Sequence, residues 1–219
     1  IAKWPDNTSF QQLEIFARVE DQNQAMLEWI EKAPATPVEK AIQRYATYIR
    51  MNDEDAAERQ LDIVEKTEPD NAFMINERFT RAIFKKDFEA ARQYAAKAAA
   101  KNLDQLDGAL FQGRLEMAKG EYGAASATFQ SATKRIPHSP GAWSLLGDAQ
   151  MAQGQVDGAV ESYKKAMDLR PSDTDIAMRF SRALLRVGRG PEALDVLSEV
   201  LRISPRSEER RVGKECRSR

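Results

Sequence analysis

Three short stretches of the chain carry residue types and spacings that could support chemistry. Residues 188–193 read G-R-G-P-E-A, which matches the G-x-G-x-x-A spacing that binds a dinucleotide pyrophosphate at the start of a helix. Asp53, Glu54 and Asp55 group three carboxylates, the type of ligand that calcium prefers. His138 is the sole histidine of the chain, and histidine is the residue most often used as a general base or a metal ligand.

None of the three has the context that its chemistry requires. The dinucleotide motif needs a strand before it, whereas Gly188 is in register with Gly120 and Gly154, which we expect in turns between helices. One histidine and the single Cys216 cannot build a structural zinc site or a catalytic triad. The acidic cluster opens a helix, where carboxylates favour the positive end of the dipole. We therefore predict no enzymatic activity, no catalytic residues, no cofactor and no metal.

A 34-residue spacing organises the elements around these stretches. Four prolines and one leucine lie on a common grid: Pro69, Leu103, Pro137, Pro171 and Pro205. Proline ends a helix because it has no N–H and clashes with the preceding turn. A fixed period of this length predicts stacked copies of one helical hairpin, each in contact only with its neighbours.

The copy over residues 140–173 shows the repeated pattern most fully. Its marker residues are, in order, Trp143, Leu146, Gly147, Ala159, Tyr163, Ala166 and Pro171. Gly147 and Ala159 are small, so the two helices of the hairpin can approach closely. Ser139 is expected to cap the first helix, with Pro140 at its first position.

This order of residues resembles the tetratricopeptide repeat, W-x2-L-G-x2-Y followed by A-x3-F and P, except that Gln150 stands in place of the last Tyr of the first helix. The resemblance covers residues 6–205 and is strongest over residues 106–139, 140–173 and 174–205. It implies an all-α fold, an α-α superhelix of about six helical hairpins. Ankyrin repeats carry a T-P-L-H-x-A motif that is absent, and the RNA-binding pentatricopeptide class should be basic.

The end of the chain has a different character. Residues 206–219, R-S-E-E-R-R-V-G-K-E-C-R-S-R, resemble the translation of a short-read sequencing adapter. We expect this tail to be non-native and set it aside; the alternative is a genuine basic tail that contacts a partner.

Charge and hydropathy limit the kinds of partner. Without the six basic and three acidic residues of the tail, the 33 basic and 34 acidic residues of the chain become 27 and 31, a net charge of −4. A mildly acidic surface is a poor match for nucleic acid, since neutralisation of phosphates supplies much of that affinity. No apolar run approaches the ~18 residues of a membrane span. We expect no nucleic-acid binding, no membrane insertion and a soluble protein of the cytoplasm or periplasm.

In the resembled family the first helix of each repeat lines a concave groove that binds a protein or peptide. The family's inward-facing positions, carried onto this sequence, predict a peptide-binding groove formed by Asn76, Thr80, Leu110, Arg114, Met117, Asp148, Met151, Met178, Arg182 and Arg186. The same positions also include Phe73, Ile83, Phe84, Ser144 and Leu185. The arginines could receive the carboxylates of an acidic or C-terminal segment. The alternative is that the apolar members are core between repeats.

Two hypotheses for the function follow. The first is a non-catalytic scaffold that binds a peptide or a partner helix in the groove. The second is a tetratricopeptide arm of a longer enzyme or of a secretion or assembly protein, because the sequence starts at Ile1 and its last helix carries apolar residues such as Leu194 and Leu201. The family's clamp for chaperone C-termini, built on Lys and Asn, is not matched at the corresponding positions.

Overall fold

The computed structural model describes residues 22–101 and 108–203. All the regular secondary structure of these two ranges is α-helical. The helices are α1 (residues 22–32), α2 (Pro37–Arg50), α3 (Glu54–Thr67), α4 (Ala72–Phe84), α5 (Phe88–Lys101), α6 (Gly108–Lys119), α7 (Tyr122–Arg135), α8 (Pro140–Ala152), α9 (Val156–Leu169), α10 (Thr174–Arg186) and α11 (Gly190–Ile203). From α2 onward, even-numbered helices are the first and odd-numbered helices the second of each repeat. Leu103 and the tail of residues 206–219 lie outside the described residues.

Capping side chains and prolines fix where the helices begin. Ser139 Oγ accepts a hydrogen bond from the Ala142 N–H at 3.3 Å, and Pro140 is the first residue of α8, as the sequence predicts. At the start of α2, Thr36 and Glu39 form a reciprocal capping box: the Glu39 N–H donates to Thr36 Oγ1 at 3.2 Å, and the Thr36 N–H donates to Glu39 Oε2 at 2.7 Å.

The 34-residue period appears directly in the backbone. Among the described residues, five adopt positive φ, and they follow one another at intervals of 34: Asn52, Lys86, Gly120, Gly154 and Gly188. Each lies in the turn between the two helices of a repeat, where a left-handed residue ends the first helix. Gly188 has φ of 76° and lies in the turn that follows α10, as predicted, and the G-R-G-P-E-A stretch runs from this turn into the first residues of α11. His138 is likewise an exposed turn residue before α8.

The described residues divide into two units, those up to residue 78 and those from residue 79 onward. In the first unit, α2 packs against α3 around Tyr45, Ala57 and Leu61. The Tyr45 and Phe73 rings meet edge to face, with centroids 5.4 Å apart. Arg78 forms ion pairs with three carboxylates of α3, those of Glu58, Asp62 and Glu65, and its side chain is only 12% exposed.

In the second unit, helices pack in chain order from α5 to α11, and α6 also contacts α8. This nearest-neighbour arrangement is what a repeat array requires. The close approach of the two helices of a repeat depends on glycine, as predicted: a Cβ added to Gly147 would lie 2.7 Å from the Tyr163 ring, and one added to Gly113 would lie 2.4 Å from the Phe129 ring.

Gln150, the departure from the family pattern, has a structural role. Its Oε1 accepts a hydrogen bond from Ser162 Oγ at 2.7 Å, which joins α8 to α9. One repeat earlier, Glu116 and Thr128 form the equivalent bond at 2.8 Å between α6 and α7. A polar pair therefore replaces the aromatic contact of the family pattern. None of the described helices combines the length and the apolar character needed to cross a bilayer.

Candidate peptide-binding face

The predicted groove residues lie on first helices, divided between the two units. Asn76 is half-buried on α4 in the first unit. In the second unit, Thr80, Met178, Arg182 and Arg186 are exposed. The others of the second unit are half-buried: Leu110, Arg114, Met117, Asp148 and Met151. We call the surface formed in the second unit by Thr80, Arg114, Asp148, Met178 and Arg182 the first-helix face.

Arg114 joins α4 to α6 on this face. Its guanidinium donates a hydrogen bond to Thr80 Oγ1 at 3.0 Å, from one repeat to the next. The same group lies over the Phe79 ring, 4.8 Å from the centroid, and 5.7 Å from that of Phe111. Aromatic stacking of this kind stabilises a cation and fixes the plane of the guanidinium. Arg114 is therefore held in a defined orientation.

Asp148 joins three helices at the other end of the face. Its Oδ1 accepts a hydrogen bond from the Tyr163 hydroxyl of α9 at 2.7 Å, and Oδ2 forms an ion pair with Arg179 of α10. Burial raises the pKa of the Tyr163 hydroxyl, and the hydrogen bond to Asp148 and its negative charge raise that pKa further. Tyr163 therefore remains a donor at neutral pH, and both oxygens of Asp148 are already engaged.

A pocket of about 410 Å³ opens beside Asp148. Its lining residues are Asp148, Asp175, Met178, Arg179 and Arg182. Met178 is 53% exposed and offers apolar surface. Arg182 has no ion-pair partner among the described residues, and the same holds for Arg186 one turn later. The pocket thus combines an available cation with an apolar side chain.

Some predicted residues contribute mainly to packing. Leu110 and Met117 pack against the core around Phe129, and Met151 packs against the core around Tyr163. Ser144, also expected on the groove, is only 7% exposed. The apolar residues Leu110, Met117 and Met151 therefore contribute to packing, and binding of a peptide by them stays a prediction.

Arg179 is the site residue that the sequence analysis missed. It pairs with Asp148 and lines the pocket, but the family positions carried over from the repeat pattern do not include it. Its counterpart 34 residues earlier is Leu145, so no repeated charge indicated its role. Across the described ranges, no three His, Cys, Asp or Glu side chains are grouped as a metal site would require.

Helix pairs with a left-handed turn residue every 34 positions, stacked on their neighbours, define a class of helical repeat proteins that serve as protein-interaction scaffolds. Profiles of the tetratricopeptide repeat match residues 76–140, 110–174 and 150–211. The chain belongs to the tetratricopeptide repeat family, as the sequence resemblance predicted.

Solved structures show the same fold at low sequence identity. The crystal structure of PilW, a widely conserved type IV pilus biogenesis factor, has a TM-score of 0.59 and 20% identity, covering 95% of this chain and 97% of that one. TTC0263, a thermophilic tetratricopeptide protein of Thermus thermophilus, has a TM-score of 0.58 and 19% identity, covering 80% and 94%. Superkiller protein 3 of Saccharomyces cerevisiae is 33% identical over 85 residues, which are 39% of this chain and 6% of that protein.

Proposed function

We propose that the chain is a non-catalytic scaffold whose first-helix face binds a peptide segment of a partner protein that carries a carboxylate next to an apolar side chain. The observation that supports this most directly is the pocket beside Asp148, where Arg182 has no ion pair among the described residues and Met178 is exposed. A guanidinium can receive a carboxylate through two parallel hydrogen bonds.

The charges around the pocket favour an anionic ligand at Arg182. Asp148, the nearest acid on α8, is already neutralised by Arg179 and accepts from Tyr163. Arg186, one turn beyond Arg182, adds a second cation on the same side of α10, since residues four apart are neighbours on a helix. Asp175 is the remaining acid of the lining and selects against a second carboxylate at the N-terminal end of α10.

The experiment is a peptide array that presents acidic and C-terminal segments, probed with the wild-type chain and with Arg182→Glu. We expect Arg182→Glu to lose the acidic spots, because the substitution replaces an attraction by a repulsion at the pocket. For a single selected peptide, affinity should fall at least about tenfold, the range found when one member of a close charge pair is lost.

Lys165→Glu is the matched control. Lys165 is an exposed residue of the second helix α9, with no ion pair among the described residues, so this variant has the same change in net charge away from the pocket. We expect its array profile to equal that of the wild type. Equal profiles for wild type and Arg182→Glu, or equal losses in both variants, would refute binding at the first-helix face.

A further inference from the structure

A second cavity lies on the other side of α10, between α9 and α11. It has a volume of about 580 Å³, within the ~300–1,000 Å³ range of ligand pockets. Its apolar lining consists of Val160, Met167, Pro171, Phe180, Leu184 and Val196. Phe180 and Leu184 point away from Met178 and Arg182, because neighbours two apart on a helix are separated by roughly 200°. We call this cavity the second-helix groove; it is distinct from the pocket beside Asp148.

The charged residues around the second-helix groove are mostly acidic. They are Glu161, Lys164, Asp168, Arg189, Glu192, Asp195 and Glu199, and all are exposed. Arg189 is occupied by Glu192 through two hydrogen bonds of 2.6 and 2.5 Å. Glu199 is paired with Arg202.

Pairing leaves the rim negatively charged. Within the described part of the chain, three of these acids have no ion-pair partner: Glu161, Asp168 and Asp195. Lys164 is the one lining cation that also has no ion-pair partner there. Three carboxylates and one ammonium therefore surround an apolar floor. Such a rim attracts a cationic ligand and disfavours an anionic one.

The repeat itself provides an internal comparison. The residues 34 positions before Val160, Met167, Leu184 and Val196 are Ser126, Thr133, Gln150 and Ser162. In that earlier repeat the polar side chains of Gln150 and Ser162 hydrogen-bond to each other. Lys134 and Lys165 stand where the groove has Asp168 and Glu199. At these positions the groove is thus more apolar on its floor and more acidic on its rim than the preceding repeat, and the hairpin packing of that repeat does not require either feature.

The dimensions of the groove suit a short length of helix. Its α9 side runs from Val160 to Asp168 and its α11 side from Glu192 to Glu199. At a rise of about 1.5 Å per residue, both sides are roughly 10–12 Å long, or about two helical turns. We propose that the second-helix groove binds an amphipathic helix of a partner protein, with an apolar stripe on the floor and Lys or Arg residues beside the acidic rim. This interaction goes beyond the peptide site of the first-helix face.

The probe for this proposal is a labelled amphipathic peptide of about four helical turns, with a Leu stripe flanked by Lys. Fluorescence anisotropy with the full 219-residue chain should show saturable binding that weakens as salt rises. A twin peptide with Glu in place of every Lys should bind at least about tenfold more weakly. No saturable binding of the Lys peptide, or equal binding of the Glu twin, would overturn the proposal.

Surface variants locate the binding. The double variant Glu161→Lys/Asp195→Lys should bind the Lys peptide roughly tenfold more weakly. The control Glu54→Lys/Glu121→Lys makes the same charge change at exposed positions near the start of α3 and α7, and should change the affinity by less than about twofold. Equal losses in both variants would mean that net charge alone attracts the peptide, which would overturn the proposal.

Two further variants distinguish the contribution of the apolar floor from that of the acidic rim, and binding at this groove from binding at the first-helix face. Val196→Ser introduces the residue that the preceding repeat carries at this position; it should weaken the Lys peptide several-fold without any change in charge. Arg182→Glu, on the first-helix face, should leave the affinity for the Lys peptide unchanged. Loss of binding in Arg182→Glu with no loss in Val196→Ser would assign the peptide to the first-helix face and overturn the proposal.

Discussion

Replacing Gly147 by alanine tests whether the two helices of a repeat are held at the distance that only glycine allows. A Cβ at this position would lie 2.7, 2.8 and 2.9 Å from three atoms of the Tyr163 ring. The ring cannot move away easily, because it is 2% exposed and its hydroxyl is hydrogen-bonded to Asp148 at 2.7 Å. We therefore expect Gly147→Ala to displace the ring and lengthen that bond.

Two opposing effects determine how much Gly147→Ala changes the free energy of unfolding. Alanine is favoured over glycine in a helix interior by up to about 1 kcal/mol, whereas overpacking a filled core costs roughly 1–3 kcal/mol. Weakening the hydrogen bond of Tyr163 to a charged acceptor adds to the cost. We expect a net loss of about 1–2 kcal/mol in the free energy of unfolding, measured from urea denaturation curves.

Two control variants test whether the cost arises from contact with the Tyr163 ring. Gly123→Ala makes the same change in α7, where a Cβ would meet nothing within 4 Å, and should be neutral or stabilising. In a Tyr163→Leu background the cost of Gly147→Ala should disappear. The last repeat already has such a pair, because Ser181 and Leu197 are the residues 34 positions after Gly147 and Tyr163. A stabilised Gly147→Ala, or additive effects in this double-mutant cycle, would refute the steric account.

Three more perturbations test the fold. Arg78→Met should cost about 1–3 kcal/mol in urea denaturation, and less at high salt, because it leaves three partly exposed carboxylates of α3 without their shared cation. Hydrogen bonds from Thr36 hold the pKa of Glu39 below its ordinary value of 4.5 in the folded protein. The wild type should therefore be more stable than Glu39→Gln above pH 4.5, and should lose this advantage as the pH falls through the lower folded-state pKa. The Tm of both proteins measured against pH checks this. Lys86→Gly should raise stability by up to about 1 kcal/mol in thermal melts, because a left-handed lysine is strained.

The sequence predicted the repeat because its signals are local and periodic. A turn that needs a left-handed residue selects glycine at Gly120, Gly154 and Gly188 whatever lies around it, and the same position tolerates Asn52 and Lys86 at a cost. The close approach of helices at Gly147 was predictable for the same reason, since a small residue at fixed spacing from an aromatic one repeats in the preceding copy.

The candidate sites were harder to predict because they depend on pairings between repeats. The role of Arg179 follows from its ion pair with Asp148 on the preceding first helix, a contact without a counterpart at Leu145. The second-helix groove depends on Leu184 and Val196 standing where Gln150 and Ser162 form a hydrogen bond one repeat earlier. The repeat pattern marks shared positions, so it does not reveal features that one repeat has alone.

Methionine methyl NMR can show whether an acidic peptide binds at the first-helix face. Met178 lines the pocket beside Asp148 and Met151 lies on the first helix α8, whereas Met167 lines the groove between α9 and α11. Titration of the methyl-labelled chain with an acidic peptide selected on the array should shift the Met178 resonance and leave Met167 unchanged. A shift of Met167 without Met178, or no shift of either, would mean that the peptide does not bind at the first-helix face.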